Sequence, residues 1–276
     1  MSLTALCNGA WVSEIDPADR GLHYGDGVFR TIRVAGGRAI GWPTHWQRLA
    51  HDCSRLGLPV LDRKLLAQEA QRLFADGGDG VLKILITRGA GGRGYAPPVD
   101  PDTNRLLFRY PLPAWPAEYP REGVAIGVSG TPLGCNPALA GVKHCNRLEQ
   151  VLARRECGER GWPEALMQTA DGRVICGTMS NLFVSQEGRL WTPQLVDAGV
   201  AGATRQRLLA LWRHAGGVCE QAALTLEAIR AADELFLCNS LMEVWPVRAI
   251  GEQLFAVGEI SRWCQRQLQG AACCGG

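Results

Sequence analysis

"GVKHCNRLEQ" (141–150) sets a single lysine between small residues and the opening of a helix, and the reading of that lysine decides the rest. Asn146 is a good N-cap, and Glu149 stands where a capping box places its acid. Leu148, Val151 and Leu152 then form the apolar stripe of a helix expected over 146–160. A lone lysine is ordinarily a solvated surface residue. Just upstream of a helix start, however, the positive end of the dipole disfavours the ammonium form and lowers its pKa. An amine that must be neutral to attack a carbonyl profits from such a place. Spacing alone leaves both readings of Lys143 open.

Working outward, the N-terminal part alternates short apolar runs with Gly turns. "FRTIRV" and "RAIGW" read as a hairpin about Gly36-Gly37. In "PTHWQRLAHDCSRLGL", Trp46, Leu49, Ala50, Cys53 and Leu56 recur at helical spacing, which predicts a helix over 44–56. His45, Arg48, Asp52 and Arg55 fall on its polar face, with an i,i+4 Arg48–Asp52 pair. A second helix follows over 63–75 and a strand over 80–89, while "AGGRGYAPP" (90–98) reads as a mobile loop. "YPLPAWPAEYP" (110–120) holds four prolines in eleven residues and reads as a linker. The expected division is a small α+β domain over 1–112, a linker over 113–120 and a larger α+β domain over 121–276 that carries Lys143. In that second domain a strand, a meander of short strands and helices over 204–215, 225–231 and 257–269 mix without βαβ alternation, so the class is α+β.

Composition narrows the partners. A length of 276 residues fits two modest domains. With 29 Lys+Arg against 27 Asp+Glu, the net charge of +2 builds no field for nucleic acid or an acidic membrane surface, so a small-molecule partner is expected. The 11 cysteines include no C-x-x-C, and the closest pair, Cys273-Cys274, stands in a Gly/Ala tail expected to fray. They read as free thiols of a reducing, cytoplasmic setting. "MSLTALCNGAWVSE" lacks the charged and apolar regions of a leader, and no apolar run is long enough to span a membrane.

Other site classes find little support. His23, His45, His51, His144 and His214 are scattered without metal-ligand spacing, so no metal is expected. Neither a Walker motif nor a G-x-S-x-G elbow is present. In "GVAGATRQRLLALW" (199–212), the backbone N–H groups of Gly202, Ala203 and Thr204 at a helix start, with one hydroxyl, have the chemistry of a phosphate cradle. An ordinary helix start after a Gly turn explains them equally. "YGDGVF" (24–29) reads as a tight turn and Asn239-Ser240 as a strand end.

In order, "RGLHYGDGVF" (20–29), "HWQRL" (45–49), "LITRGAGGRGYAP" (85–97), "GVKHCNRLEQVLAR" (141–154), "GTMSNLF" (177–183), "GVAGATR" (199–205) and "FLCNSLMEVWPV" (236–247) resemble the fold-type IV pyridoxal-phosphate enzymes, a group that includes the branched-chain and D-amino-acid aminotransferases. Within it, "RGAGGRGY" and "KHCNRLEQVLAR" are most similar to the aminodeoxychorismate lyases, which make 4-aminobenzoate and pyruvate on the way to folate. The resemblance implies a two-domain D-amino-acid aminotransferase-like fold, a homodimer, and pyridoxal 5'-phosphate held by Lys143 as a Schiff base. It also gives Lys143 the acid–base role and places Arg48, Ala203, Thr204 and Ser240 on the cofactor phosphate. Arg88, Arg93 and Asn239 fall to the substrate.

Two positions depart from that pattern. Cys176 in "RVICGTMSNLF" stands where the family usually has the Glu that keeps the pyridine nitrogen protonated, and a thiol with a reference pKa near ~8.5 is a weaker partner. Arg30 follows "GDGVF" where aminotransferases commonly have Glu. An aromatising elimination tolerates a weak electron sink better than reversible transamination does, so the lyase is the first expectation. An aminotransferase comes second, and a degenerate, non-catalytic homologue third.

Overall fold

Two alternating runs, GVFRTIRVA and GVLKILIT, pair antiparallel from Gly27↔Thr87 to Val34↔Gly80 and centre the first of two units. The computed structural model describes residues 4–59 and 61–273. The first unit runs to Pro113 and includes Val142–Asn146. Its elements are β1 (Thr4–Cys7), β2 (Ala10–Trp11), α1 (Arg20–Tyr24), β3 (Gly27–Ala35), β4 (Arg38–Ala39), α2 (Trp42–Arg55), α3 (Arg63–Leu73), β5 (Gly80–Thr87) and β6 (Asn104–Tyr110). The sheet order is β2-β1-β6-β5-β3-β4. Gly36 and Gly37, with φ of 54° and 73°, make the β3–β4 turn, which needs left-handed backbone twice in succession. One sheet face buries Val28, Ile32, Leu82, Ile84 and Leu107 against Leu49 and Cys53 of α2 and Leu66 and Leu73 of α3.

The second unit comprises 114–141 and 147 onward. It contains α4 (Glu118–Glu122), β7 (Val124–Val128), α5 (Leu148–Arg160), β8 (Ala165–Gln168), β9 (Arg173–Gly177), β10 (Asn181–Gln186), β11 (Arg189–Pro193), α6 (Ala203–His214), β12 (Cys219–Ala222), β13 (Leu224–Thr225), α7 (Leu226–Arg230), β14 (Glu234–Asn239), β15 (Glu243–Ile250), β16 (Gln253–Leu254) and α8 (Glu259–Cys273). The sheet runs β12-β11-β10-β14-β15-β7-β8-β9-β13, with β16 beside β15. ELFLCN forms the central β14, and its unbroken apolar run follows from cover on both faces. Leu235 and Leu237 pack with Leu182, Trp245 and Val247. Phe236 stacks on Phe183 at 5.0 Å under α6 and α8.

Several expectations change. The proline-rich stretch is not a bare linker: α4 forms within it, and Trp115 and Tyr119 meet Trp245 edge-on at 5.0 and 4.9 Å. Lys143, expected in the C-terminal domain, lies in a segment that belongs to the first unit. On α2, His45 and Asp52 are buried rather than on a wet polar face. The Asn146 capping box does not form. Arg147 is the N-cap of α5, and Glu149 instead accepts the Gly134 N–H at 2.8 Å. The stripe of Leu148, Val151 and Leu152 is exposed, at 78%, 59% and 45%, while Ala153 and Cys157 face the core.

Nine cysteines of the described residues are free thiols, and no described helix is long and apolar enough to cross a membrane. Residues 1–3 and Cys274, on which the leader and tail expectations partly fall, lie outside the described residues.

Candidate active site

In the first unit, the segment around Lys143 lies along the start of β3. Phe29 donates its N–H to the Lys143 carbonyl at 2.9 Å, Cys145 donates to the Gly27 carbonyl at 3.0 Å, and Val28 bridges His144. The remaining backbone group, the Lys143 N–H, goes to Asp52 Oδ2 at 3.0 Å. Lys143 Nζ sits 4.5 Å from the Phe29 ring centroid. The YGDGVF turn abuts this segment: Gly25 has φ 62°, and a Cβ there would meet Asn146 Oδ1 at 2.4 Å. Asn146, read as a helix cap, donates its amide to the Gly25 carbonyl at 3.3 Å.

Asp52, fully buried on α2, gathers two guanidiniums and an imidazole. Arg30 on β3 donates to Oδ2, while Arg48 and His51 Nδ1 each lie 3.3 Å from Oδ1. Burial lowers the pKa of Arg30 to about 10, partly offset by the Asp52 charge, and burial also lowers that of Arg48. A guanidinium shifted so far is still a cation at neutral pH.

The RGAGGRGY segment is organised around Asp26. Arg20 Nε and Arg88 Nε reach Asp26 Oδ2 at 2.9 and 2.8 Å. Arg20 also donates to the Gly94 and Tyr95 carbonyls at 3.0 and 2.9 Å, so the expected mobile loop is tied to a buried guanidinium. Arg88 donates further to the Leu56 and Gly57 carbonyls at 2.7 and 3.1 Å. Each of its three nitrogens thus has a protein acceptor, which braces the segment against Asp26 and the 56–57 turn. Arg93 is exposed, and among the described residues no hydrogen bond holds it.

In the second unit, α6 begins at Gly202, whose lack of a side chain leaves the first turn uncapped. Asn181 fixes this start: its Oδ1 accepts the Gly202 N–H at 3.1 Å and its Nδ2 donates to the Val200 carbonyl at 2.8 Å. A Cβ at position 202 would lie 2.2 Å from Asn181 Oδ1. Ala203 and Thr204 are buried in that first turn, and Thr204 Oγ1 is 3.5 Å from Ser240 Oγ. Asn239, read as a substrate ligand, uses its Oδ1 on the N–H groups of Leu241 and Met242 at 2.8 and 2.9 Å and its Nδ2 on the Met179 carbonyl at 3.2 Å. It shapes the turn that presents Ser240. Free amides at a helix start with two hydroxyls suit a phosphate dianion.

Cys176 lies buried on β9 with Met167, Ile175 and Ala198. Glu164, just before β8, is fully buried and anchors the GTMS turn. It accepts from Thr178 N at 2.9 Å, Met179 N at 3.1 Å, Ser180 Oγ at 2.8 Å and the Thr178 hydroxyl. The roles of Glu164, Asn181 and Asp52 escaped sequence reading.

A mixed α+β chain with a lysine laid along a strand and a bare helix start defines a class, and the match is direct: residues 27–250 fit "Amino-transferase class IV", and the chain belongs to that family. Its architecture is the fold-type IV one. Over 265 residues it is 34% identical to an aminodeoxychorismate lyase of Vibrio harveyi, covering 95% of this chain and 98% of that one. It matches the crystal structure of 4-amino-4-deoxychorismate lyase from Pseudomonas aeruginosa with a TM-score of 0.92 and 42% identity, over 96% and 98% of the two chains. A putative branched-chain-amino-acid aminotransferase of Methanocaldococcus jannaschii is 30% identical over 266 residues, 92% and 91% of the chains.

Proposed function

We propose that this chain is a pyridoxal-phosphate-dependent lyase that converts 4-amino-4-deoxychorismate to 4-aminobenzoate and pyruvate. Its 42% identity to the Pseudomonas aeruginosa lyase over nearly the full length of both chains carries the reading. The donor set fits the cofactor: an uncapped helix start with two hydroxyls for a phosphate, and an amine with a fixed backbone for an aldehyde. When bound, pyridoxal phosphate supplies the electron sink for charge left on the substrate.

In this reading the N–H groups of Ala203 and Thr204 and the hydroxyls of Thr204 and Ser240 would hold the phosphate, and Arg48 would pair with its charge. Lys143 would hold the aldehyde through Nζ, and the same amine would serve as the base for the substrate's ring C–H. Removal of that proton expels the enolpyruvyl group, which takes up a proton on carbon to become pyruvate, and the ring becomes aromatic. Cys176 would stand where the ring nitrogen needs a partner. Glu164 does not substitute there, because its oxygens serve the 178–180 turn. Arg93 is the free guanidinium for a substrate carboxylate.

The protein works as a homodimer in the cytoplasm, and its product enters folate synthesis. The exposed Leu148, Val151 and Leu152 on α5 support a second copy as their cover, and the free thiols support a reducing compartment.

The test has two parts. Borohydride reduction of the protein with pyridoxal phosphate should add the cofactor mass to the peptide containing Lys143. Incubation with aminodeoxychorismate and no amino acceptor should release pyruvate. Transfer of an amino group to a 2-keto acid, with no pyruvate formed, would replace the lyase by the aminotransferase.

A further inference from the structure

A lysine that must first join an aldehyde carbon and then reach a ring proton swings on a flexible four-carbon stem, so the fixity of its backbone sets its aim. The Lys143 carbonyl is held by the Phe29 N–H, an ordinary strand pairing. Its N–H is held differently, by the side-chain carboxylate of Asp52 at 3.0 Å. That carboxylate is fully buried, where a lone charge is costly unless it is paired. Arg30, itself 2% exposed, supplies the pairing, and Arg48 adds a second guanidinium at 3.3 Å.

Arg30 is not there for its own comfort. Among the described residues its buried Nε–H has no hydrogen-bond acceptor, so the side chain is under-satisfied where it stands. Its Nη2 bonds go to Asp52 and to the Arg48 carbonyl at 3.2 Å, one turn before Asp52 on α2. Arg30 therefore ties β3 to α2 at Arg48 and at Asp52, whose carboxylate accepts the Lys143 N–H.

We propose that the buried Arg30–Asp52 pair is a positioning device that fixes the backbone of Lys143 for proton transfer. Asp52 is the residue that acts, through the Lys143 N–H, and Arg30 is the counter-charge that lets a carboxylate stay there. This inference rests on the lyase reading for its kinetic consequence but not for its structural one.

The experiment compares Asp52→Ala, which removes the acceptor, with Asp52→Asn in an Arg30→Met background, which keeps an oxygen for the Lys143 N–H and removes both charges. Amide exchange of the 142–146 peptide, resolved to Lys143 by fragmentation, is read on cofactor-free protein. Wild type should show a protected Lys143 amide. Asp52→Ala should exchange it at least tenfold faster, with the β5 and β6 amides unchanged, and the Asn/Met protein should stay within about threefold of wild type. In turnover, Asp52→Ala should lose at least tenfold in kcat with KM within twofold, and the Asn/Met protein should recover most of that loss. The visible circular dichroism of bound cofactor should shift in the Ala variant alone. Unprotected Lys143 in wild type, or equal loss in the two variant proteins, overturns the proposal; the wild-type reading decides even if Asp52→Ala does not fold. Absence of pyruvate release by wild type overturns the lyase reading instead, since exchange needs neither cofactor nor substrate.

Discussion

Ser180 gives its hydroxyl to Glu164 Oε2 at 2.8 Å, joining the head of β8 to the turn that feeds β10. Two backbone N–H groups of the same turn, from Thr178 and Met179, end on that carboxylate as well. Glu164→Ala would leave these donors buried without an acceptor, each costing about 1–3 kcal/mol. Urea denaturation should show a loss of roughly 3 kcal/mol or more, and Glu164→Gln, which keeps one oxygen, should lose less. Because Asn181 follows this turn and holds Gly202, the Ala variant should also bind pyridoxal phosphate more weakly in a fluorescence titration.

Lys143→Ala removes both the covalent attachment and the proton carrier. Turnover should fall by about 10²–10⁴-fold, and borohydride should leave no cofactor mass on the 141–154 peptide. Retention of label elsewhere with full turnover would show that another amine carries the chemistry.

Cys176 is packed among apolar side chains, so Cys176→Glu buries a carboxylate that, in the proposed reading, the cofactor's ring nitrogen would pair. The cofactor-free variant should lose about 1–3 kcal/mol, and added pyridoxal phosphate should restore more stability than it gives wild type. Turnover should rise if the ring nitrogen is under-protonated in the native protein. Steady-state kinetics that show unchanged or lower kcat would count against a weakened sink.

Asp26 binds the RGAGGRGY segment through Arg20 and Arg88, and its pKa reflects that. Burial works against its ionisation, but hydrogen bonds from the two guanidiniums and their charges outweigh it and hold it below the usual carboxylate range. A depressed folded pKa means that the stabilisation is complete above the unfolded value of about 3.9 and disappears as pH falls through the folded one. Proteolysis or amide exchange of residues 89–97 should therefore stay slow from neutral pH to about 4 and accelerate below it. Asp26→Asn should show the fast behaviour already at pH 7.

Three large apolar side chains on one exposed helix face call for cover. Val151→Asp together with Leu152→Asp should convert a dimer to a monomer in light scattering. No change of mass would place the subunit contact elsewhere.

What the sequence made legible was whatever depends on period and on turn chemistry. Leu49 and Cys53 marked the inward face of α2, and Gly36-Gly37 marked the hairpin. The burial of Asp52 was not legible, because it depends on Arg30, which lies 22 residues away on a strand. Helical spacing likewise placed Leu148, Val151 and Leu152 on one face without saying which surface meets it; the core took Ala153 and Cys157 instead. In the candidate site, the residue types at Lys143, Arg48 and Thr204 were readable from motifs. The bracing of Arg88 was not, because its carbonyl acceptors at Leu56 and Gly57 leave no trace in side-chain identity.

The first unit is assembled from two stretches of chain separated by 114–141. On the ribosome, its lysine-bearing edge cannot close until residue 146 has left the exit tunnel, well after β6 is made. A polypeptide cut at Pro113 lacks the Lys143 backbone that pairs with Phe29 and Asp52, so severing the gene at the prolines should give a half that exposes the start of β3 and aggregates. The first unit is thus completed only after part of the second has been synthesised.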